Sequence, residues 1–362
     1  MSEKMQAICE KLALEPVFQM SLNSKELFHS NILAWFCNSY PKEAREVFDQ
    51  WVPSRNSTTH QVKREKNNLD LVLEIPGLAP IVIENKVFAA PDNEQLERYA
   101  EKKEIKNFEE PSLFLLSLGR PNWAGGTFVS PSGLTWRYIS YRELSSALGH
   151  AVKDISGFDG NLIRHYVNVV NLLQEILDEI SVLNPEEQVF LDLPTRTLLE
   201  QIRMADAFGK LRARQSIFKL DQLTKPVAGT KKIEFNSDFT NGEPLIEGYV
   251  WGQSGDRLGW QYQANQWRLA VWSAFHIGKT NDLRRKREKY VAQHYEAWFD
   301  FEPLQTLIEP RPSRISKLEI RGGFLSYAPQ FVYRKRDIKG LTISELEILS
   351  RHYLTQAENL VR

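Results

Sequence analysis

The segment from Leu69 to Phe88 constrains the fold of this chain more than any other. Two apolar stretches, Leu69 to Ile75 and Ile81 to Phe88, flank a five-residue connection that contains two prolines and one glycine. A short connection of this composition favours a turn between antiparallel strands. The segment therefore predicts a β-hairpin.

The hairpin carries three charged residues that the predicted pairing brings together. With this connection length, paired positions sum to roughly 155 in residue number, which places Asp70 opposite the segment from Glu84 to Lys86. Glu84 and Lys86 are two positions apart and therefore point to the same face of their strand. Two carboxylates and an ammonium are expected to converge.

Two ionised acids on one strand surface are costly unless a cation compensates their charge. Oxygen ligands from Asp70, Glu84 and the main-chain carbonyl of Asn85 suit Mg²⁺, with Mn²⁺ as the expected substitute. Lys86 would stabilise a pentacovalent transition state, or orient and deprotonate the attacking water if its pKa is lowered near metal and phosphate. Phosphodiester hydrolysis needs these parts.

Asp70 followed by Ile83-Glu84-Asn85-Lys86 resembles the PD-(D/E)XK nuclease signature in its Glu-x-Lys form. Two further motifs resemble those of a bacterial branch of this superfamily: an upstream acidic motif, Glu26-Leu27-Phe28-His29-Ser30, and a downstream helix, Gln95-Leu96-Glu97-Arg98-Tyr99. The resemblance covers roughly residues 20 to 180. It implies a restriction-endonuclease-like core, Mg²⁺ dependence and cleavage of DNA.

The resemblance also implies roles for two residues outside the hairpin. Glu26 would approach the metal from its helix as a further ligand, and Gln95 would steady the lysine, the water or the DNA backbone. The sequence departs from the pattern because Leu69 replaces the nominal proline before Asp70. Asn67-Asn68 stands where relatives often carry glycine and arginine, which puts one local contact in doubt.

Two other motif residues have plain structural interpretations. His29 either shapes the metal site or touches a phosphate, or it is a hydrogen-bonded histidine under the helix, and the structural interpretation is preferred. Tyr99 lies four residues beyond Gln95, on the same helical face, and is predicted to pack in the core with a partner for its hydroxyl.

Apolar periodicity predicts the remaining elements of the first half. Besides the hairpin, strands are predicted at His60 to Lys66, Ser112 to Leu118 and Thr135 to Ile139. Helices are predicted from the cap Ser24 to about Asn38, after the cap Asp92, and at Ser140 to Ala147, Asn161 to Ile180 and Pro185 to Leu220. The expected class is α/β, with a mixed sheet flanked by helices.

A chain of 362 residues is longer than one hydrophobic core usually grows, so two domains are expected, 1–220 and 221–362. The second is predicted to be an α+β domain for recognition of a target or partner. Its predicted elements are strands at Leu245 to Trp251, Trp260 to Gln263, Trp267 to Trp272, Leu318 to Ile320 and Phe331 to Arg334, and helices at Asn281 to Phe299 and from Ser344.

Two features of the second domain suggest nucleic-acid contact. Arg284, Arg285 and Arg287 belong to the densest basic run, which either tracks a phosphate backbone or forms a solvated helix face. The strand tryptophans could stack on bases, but alternation along strands favours a hydrophobic core. They are Trp251, Trp260, Trp267 and Trp272.

Composition narrows the class of protein. Lysine plus arginine and aspartate plus glutamate number 46 each, so any basic surface must be local. Only Cys9 and Cys37 occur, which disfavours disulfides and structural zinc and favours buried thiols. No apolar run is long enough to span a bilayer and the N-terminus lacks a secretion signal, so a cytoplasmic location without membrane contact is predicted.

The motifs together predict a Mg²⁺-dependent endonuclease acting on DNA, in defence against foreign DNA or another nucleic-acid process. RNA remains an alternative substrate, because the site acts on phosphodiesters generally. A second alternative is a nuclease-fold binding module, a sensor or assembly subunit, with lost or conditional cleavage. A homodimer is expected if both strands are cut, because one site cuts one strand.

Overall fold

The structure is a computed structural model that describes residues 3–22, 25–52, 61–66, 69–75, 79–87, 93–108, 110–224, 233–240, 242–308, 323–326 and 329–361. Several predicted features lie outside these residues: the caps Ser24 and Asp92, the pair Asn67-Asn68, the connection residues 76–78 and the strand near 318–320. Contacts divide the chain into two compact units, Met1–Ile180 with Pro194–Leu211, and Ser181–Leu193 with Arg212–Arg362.

The helices and strands follow one another along the described chain. The helices are α1 Glu3–Leu14, α2 Pro16–Ser21, α3 Lys25–Ser39, α4 Pro41–Phe48, α5 Asn93–Ala100, α6 Lys103–Lys106, α7 Tyr141–Ala151, α8 Gly157–Ile180, α9 Leu193–Gln201, α10 Ala205–Thr224, α11 Asn281–Tyr295, α12 Pro303–Thr306 and α13 Ile343–Leu360. The strands are β1 Gln61–Lys66, β2 Leu69–Glu74, β3 Ile81–Lys86, β4 Ser112–Ser117, β5 Thr127–Val129, β6 Thr135–Ser140, β7 Ile233–Thr240, β8 Glu243–Trp251, β9 Arg257–Gln263, β10 Gln266–Trp272 and β11 Phe331–Asp337.

The first unit is built on a mixed six-stranded sheet of order β1-β2-β3-β4-β6-β5. The β1–β2 and β2–β3 pairs are antiparallel, β3–β4 and β4–β6 are parallel, and β5 runs antiparallel to β6. Helix α3 contacts the first three strands, while Leu96 of α5 and Ile105 of α6 join a buried cluster with Val72 and Val82. The predicted class, a mixed sheet flanked by helices, is confirmed.

The β2–β3 hairpin has nearly the predicted register. Leu71 pairs with Ile83 and Leu73 with Ile81, so the next position along the ladder sets Asp70 beside Glu84. This is one residue from the sum expected from the sequence. The register follows from the connection length, because each added residue would move the carboxylates to a different pairing position.

The second unit contains a five-stranded antiparallel sheet of order β11-β10-β9-β8-β7. Trp260 and Trp267 are fully buried and stack with ring centroids 4.8 Å apart, and Trp272 is 9% exposed. The prediction that these tryptophans form core is confirmed for all three. Trp251 differs, since it is 39% exposed and lies under the guanidinium of Arg257.

Asp256 ties the start of β9 to α11. It is fully buried, and its Oδ2 accepts hydrogen bonds from the hydroxyls of Tyr290 at 2.7 Å and Tyr295 at 2.8 Å. Its Oδ1 accepts the Ala274 N–H at 2.7 Å. Three donors compensate for burying this carboxylate, so it is a structural acid.

The predicted single helix from Pro185 to Leu220 is wrong. The segment forms α9 and α10, separated at Arg203, whose φ is +57°, and its first residues are not helical. Instead, the Val189 N–H donates to the Leu341 carbonyl at 2.9 Å and the Ile343 N–H to the Glu187 carbonyl at 3.0 Å. These contacts explain why 181–193 groups with the second unit, and why the compact units divide differently from the predicted 1–220 and 221–362.

Several elements were not predicted from the sequence: α1, α2, α4, α6, α9 as a separate helix, α12, β5 and β7. Cys9 and Cys37 are buried free thiols, as expected. In the part of the chain that the structure describes, no helix combines the length and apolar character needed to cross a bilayer.

Candidate active site

The candidate site lies where β2 separates from β3. The backbone pairing of these strands ends at Leu71 and Ile83, and the Asn85 N–H then donates to Oδ2 of Asp70 at 2.8 Å. Strand β3 continues to pair with β4 as far as Lys86 opposite Ser117. The Asp70 carboxylate thus replaces a backbone acceptor at the point where the two strands diverge.

Glu84 is the centre of a small group of polar side chains. It is 1% exposed, and its Oε1 accepts hydrogen bonds from Lys86 Nζ at 2.9 Å and from Gln95 Nε2 at 3.2 Å. Gln95 Nε2 also donates to the hydroxyl of Tyr99, whose ring packs against the first unit's buried cluster. The structure therefore brings together Asp70, Glu84, Lys86 and Gln95, and gives Tyr99 the core position and hydroxyl partner predicted for it.

The two carboxyl groups both have raised pKa values. Burial raises the pKa of Glu84 to about 7, the charge of Asp70 adds to the effect, and Lys86 opposes it. Burial also raises the pKa of Asp70, against the lowering effects of the Asn85 N–H, Lys86 and a hydrogen bond with Glu84. Because like charges this close disfavour double ionisation, the protein alone favours one proton on the pair, at Glu84.

Lys86 differs from its predicted electrostatics. Burial lowers the pKa of its ammonium, but the charges of Glu84, Asp70 and Glu26 and the hydrogen bond to Glu84 together raise it above its usual value. The expected lowering is therefore wrong for the protein groups by themselves, because three acids outweigh desolvation. Lys86 is an ammonium at neutral pH and a hydrogen-bond donor.

The fit of a divalent cation can be judged from the buried oxygens. Oε2 of Glu84 is buried and receives no hydrogen bond within the described residues, so an ionised Glu84 has an uncompensated oxygen beside Asp70. No group of three or more His, Cys, Asp or Glu side chains with metal-binding geometry occurs among the described residues. Two carboxylates fit Mg²⁺, which usually takes one or two protein acids and fills its shell with water and substrate phosphate.

Glu26 contacts the end of β3. Its Oε2 accepts the Val87 N–H at 2.6 Å, and its main-chain carbonyl accepts Asn85 Nδ2 at 3.3 Å. Among the described residues it does not form a three-acid cluster with Asp70 and Glu84. Its charge acts on Lys86. The metal-ligand roles of Glu26 and of the Asn85 carbonyl stay predictions.

His29 occupies the structural position that was preferred for it. It is 1% exposed, its Nδ1 lies 3.0 Å from the Tyr166 hydroxyl, and burial lowers its pKa to about 3. It is therefore neutral at physiological pH. Sequence reasoning missed Tyr141 and Tyr166, which belong to distant helices without a motif, whereas Ser30 lies inside the acidic motif of α3.

Lys102 is a further cation that the sequence reasoning missed. Its Nζ lies 4.1 Å from the centre of the Tyr99 ring, and its charge lowers the pKa of Glu84. It follows Gln95 and Tyr99 on one helical face at spacings of seven and three residues, a pattern that could have drawn attention to it.

The basic run of α11 is only partly available for binding. Arg287 is 2% exposed and donates to the carbonyls of His276 at 2.9 Å and Gly278 at 3.2 Å, so the prediction that it contacts nucleic acid is wrong. Its guanidinium closes a loop instead. Arg284 is exposed and paired with Glu288 at 2.8 Å, and Arg285 is exposed.

Comparison with known proteins identifies the first unit. Residues 17–168 match the model of the PD-(D/E)XK nuclease superfamily, and this part of the chain belongs to that superfamily. The match spans α3, the hairpin and the Gln95 helix, and confirms the assignment made from the motifs. No curated protein and no solved structure gives a significant match to the chain.

Proposed function

We propose that the protein is a divalent-metal-dependent endonuclease that hydrolyses DNA phosphodiester bonds, with Mg²⁺ as the natural cation and Mn²⁺ as a substitute. The observation that carries the proposal is the buried Glu84 carboxylate, which has Asp70 beside it, an oxygen without a donor in the described structure, and Lys86 at 2.9 Å. Membership of a nuclease superfamily supports the reaction class.

Each polar side chain has a task in this proposal. Asp70 and Glu84 hold the cation, which when bound neutralises phosphate charge and activates the attacking water. Lys86 donates a hydrogen bond to a phosphate oxygen whose negative charge grows in the transition state. Its raised pKa makes it a donor and not a base. Gln95 fixes the rotamer of Glu84.

Features of the second unit suggest where longer substrates extend. Arg284 and Arg285 are exposed on α11 and can approach a phosphate backbone, which makes them the proposed nucleic-acid contacts of that unit. The defence role, the homodimer and the cytoplasmic location stay predictions from the sequence.

The test is incubation of purified protein with supercoiled plasmid and Mg²⁺, with EDTA as the metal-free reference. We expect nicked or linear product from the wild type, and loss of about 100-fold or more in rate for Asp70→Ala and Lys86→Ala. Lys103→Ala is the matched control, because Lys103 is an exposed lysine in the same unit. Linear product from single encounters would indicate two sites acting together.

Three results would change the proposal. Equal nicking by all four proteins would remove Asp70 and Lys86 from the reaction. Cleavage of a single-stranded RNA but not of plasmid would reassign the substrate. Tight DNA binding without metal uptake or cleavage would favour the nuclease-fold binding module.

A further inference from the structure

The main chain between Glu84 and Lys86 is held from the opposite face of the sheet. Asn85 is 1% exposed, and its Nδ2 donates to Ser30 Oγ at 2.9 Å and to the Glu26 carbonyl at 3.3 Å. Because a carbonyl only accepts, these contacts fix the orientation of the amide and leave Oδ1 facing the Tyr141 hydroxyl, which donates to it.

Tyr141 is the first member of a buried hydrogen-bonded chain. Its hydroxyl is hydrogen-bonded to that of Tyr166, which in turn meets Nδ1 of His29 at 3.0 Å. Since Tyr141 gives its proton to Asn85, its oxygen is the acceptor for Tyr166, and Tyr166 is then the acceptor for His29. The chain thus requires a neutral His29 with its proton on Nδ1, in agreement with the lowered pKa of that ring.

The chain joins helices that are distant in sequence. Tyr141 begins α7, Tyr166 lies in α8, and His29 and Ser30 lie in α3. All four side chains are buried, so each hydrogen bond is shielded from water. A buried polar network in which every member is satisfied favours one arrangement of its parts, because any other arrangement leaves a donor or acceptor unpaired.

Strand alternation transmits this fixed arrangement to the candidate site. Asn85 points to one face, so Glu84 and Lys86 on either side of it point to the other. The Asn85 N–H also donates to Asp70 at 2.8 Å. One residue therefore sets the position of all three charged groups, although its own side chain faces away from them.

We propose that Asn85 is the positioning residue of this site, and that the chain Tyr141–Tyr166–His29, together with Ser30, acts through it to set the geometry of Asp70, Glu84 and Lys86. The inference rests on the proposed nuclease function. Groups that orient metal ligands from behind typically change metal affinity or activity by about 10- to 100-fold when removed.

The experiment compares Tyr141→Phe and Tyr166→Phe with Tyr40→Phe. Tyr40 is a matched control, because its hydroxyl also donates a hydrogen bond to a residue of α8, Asp159 at 2.5 Å, but it is not linked to β3. Three quantities are measured for each protein: kcat and KM with an oligonucleotide duplex, the Kd for Mn²⁺ by calorimetry without substrate, and the Tm in EDTA.

We expect Tyr141→Phe to lower kcat about 10-fold or more with little change in KM, and to weaken Mn²⁺ binding, while Tyr40→Phe resembles the wild type. Tyr166→Phe, one link further away, is expected to show the same pattern with a smaller effect. A loss of stability alone would lower all rates in proportion to the folded fraction and leave the Mn²⁺ affinity of the folded protein unchanged.

The outcomes separate the two proposals. If the wild type neither binds Mn²⁺ nor cleaves any substrate, the proposed function fails and the inference fails with it. If the wild type cleaves, and both network variants match Tyr40→Phe in kcat and in Mn²⁺ affinity, only the positioning role is overturned. If Tyr141→Phe does not fold, the same comparison with Tyr166→Phe decides.

Discussion

Replacing Glu84 by glutamine should stabilise the metal-free protein, and more so at higher pH. The pKa of Glu84 is raised from 4.5 to about 7, chiefly by burial, with a contribution from Asp70. Glutamine keeps the shape of the protonated acid but cannot ionise. The variant therefore removes the cost of a buried negative charge while leaving the rest of the hairpin in place.

The sign follows from proton binding. Below about pH 4.5 both the folded and the unfolded chain hold the proton, so the raised pKa has its full stabilising effect. As the pH rises towards 7 the unfolded chain releases its proton first, and this stability is lost. The interval between the two pKa values corresponds to about 3 kcal/mol, so the advantage of Glu84→Gln should grow from near zero at pH 4.5 to about 3 kcal/mol at pH 8.

The assay is urea unfolding in EDTA between pH 4.5 and 8, followed by circular dichroism, with hydrogen exchange in β2–β4 peptides to assign the transition of the first unit. Glu94→Gln is the control, because it makes the same chemical change on an exposed position of α5. An advantage that is equal at both ends of the pH range, or a variant less stable than the wild type at pH 8, would refute the reasoning.

Three further predictions concern metal and the second unit. Mg²⁺ at 100 times its Kd should stabilise the wild type by about 2.7 kcal/mol in thermal unfolding and leave Asp70→Asn unmoved; equal shifts would place the cation elsewhere. Asp256→Ala should cost about 3 kcal/mol or more in urea unfolding, because three buried donors lose their acceptor, and a loss below 1 kcal/mol would contradict this. Arg285→Ala should weaken DNA binding and reduce its salt dependence, whereas Arg287→Ala should lower the Tm; the reverse pattern would restore Arg287 as a contact.

The hairpin shows how far local sequence can specify a site. The length of the connection determines the register, so the amino-acid sequence by itself places Asp70 beside Glu84 to within one residue. Alternation along β3 puts Glu84 and Lys86 on one face. These rules are local, because pairing and pleat depend on residues within one hairpin, and they are sufficient to predict the central three charges.

What the sequence could not determine depends on contacts between distant segments. Tyr141 and Tyr166 reach Asn85 only because α7 and α8 fold against the first unit's other elements, and Arg287 is buried because loops from two parts of the chain meet its guanidinium. The first residues of the predicted 185–220 helix bond instead to residues near 341. Burial also decides the charge states, since desolvation depends on every surrounding segment, and so the raised pKa of Lys86 emerges only from the folded site.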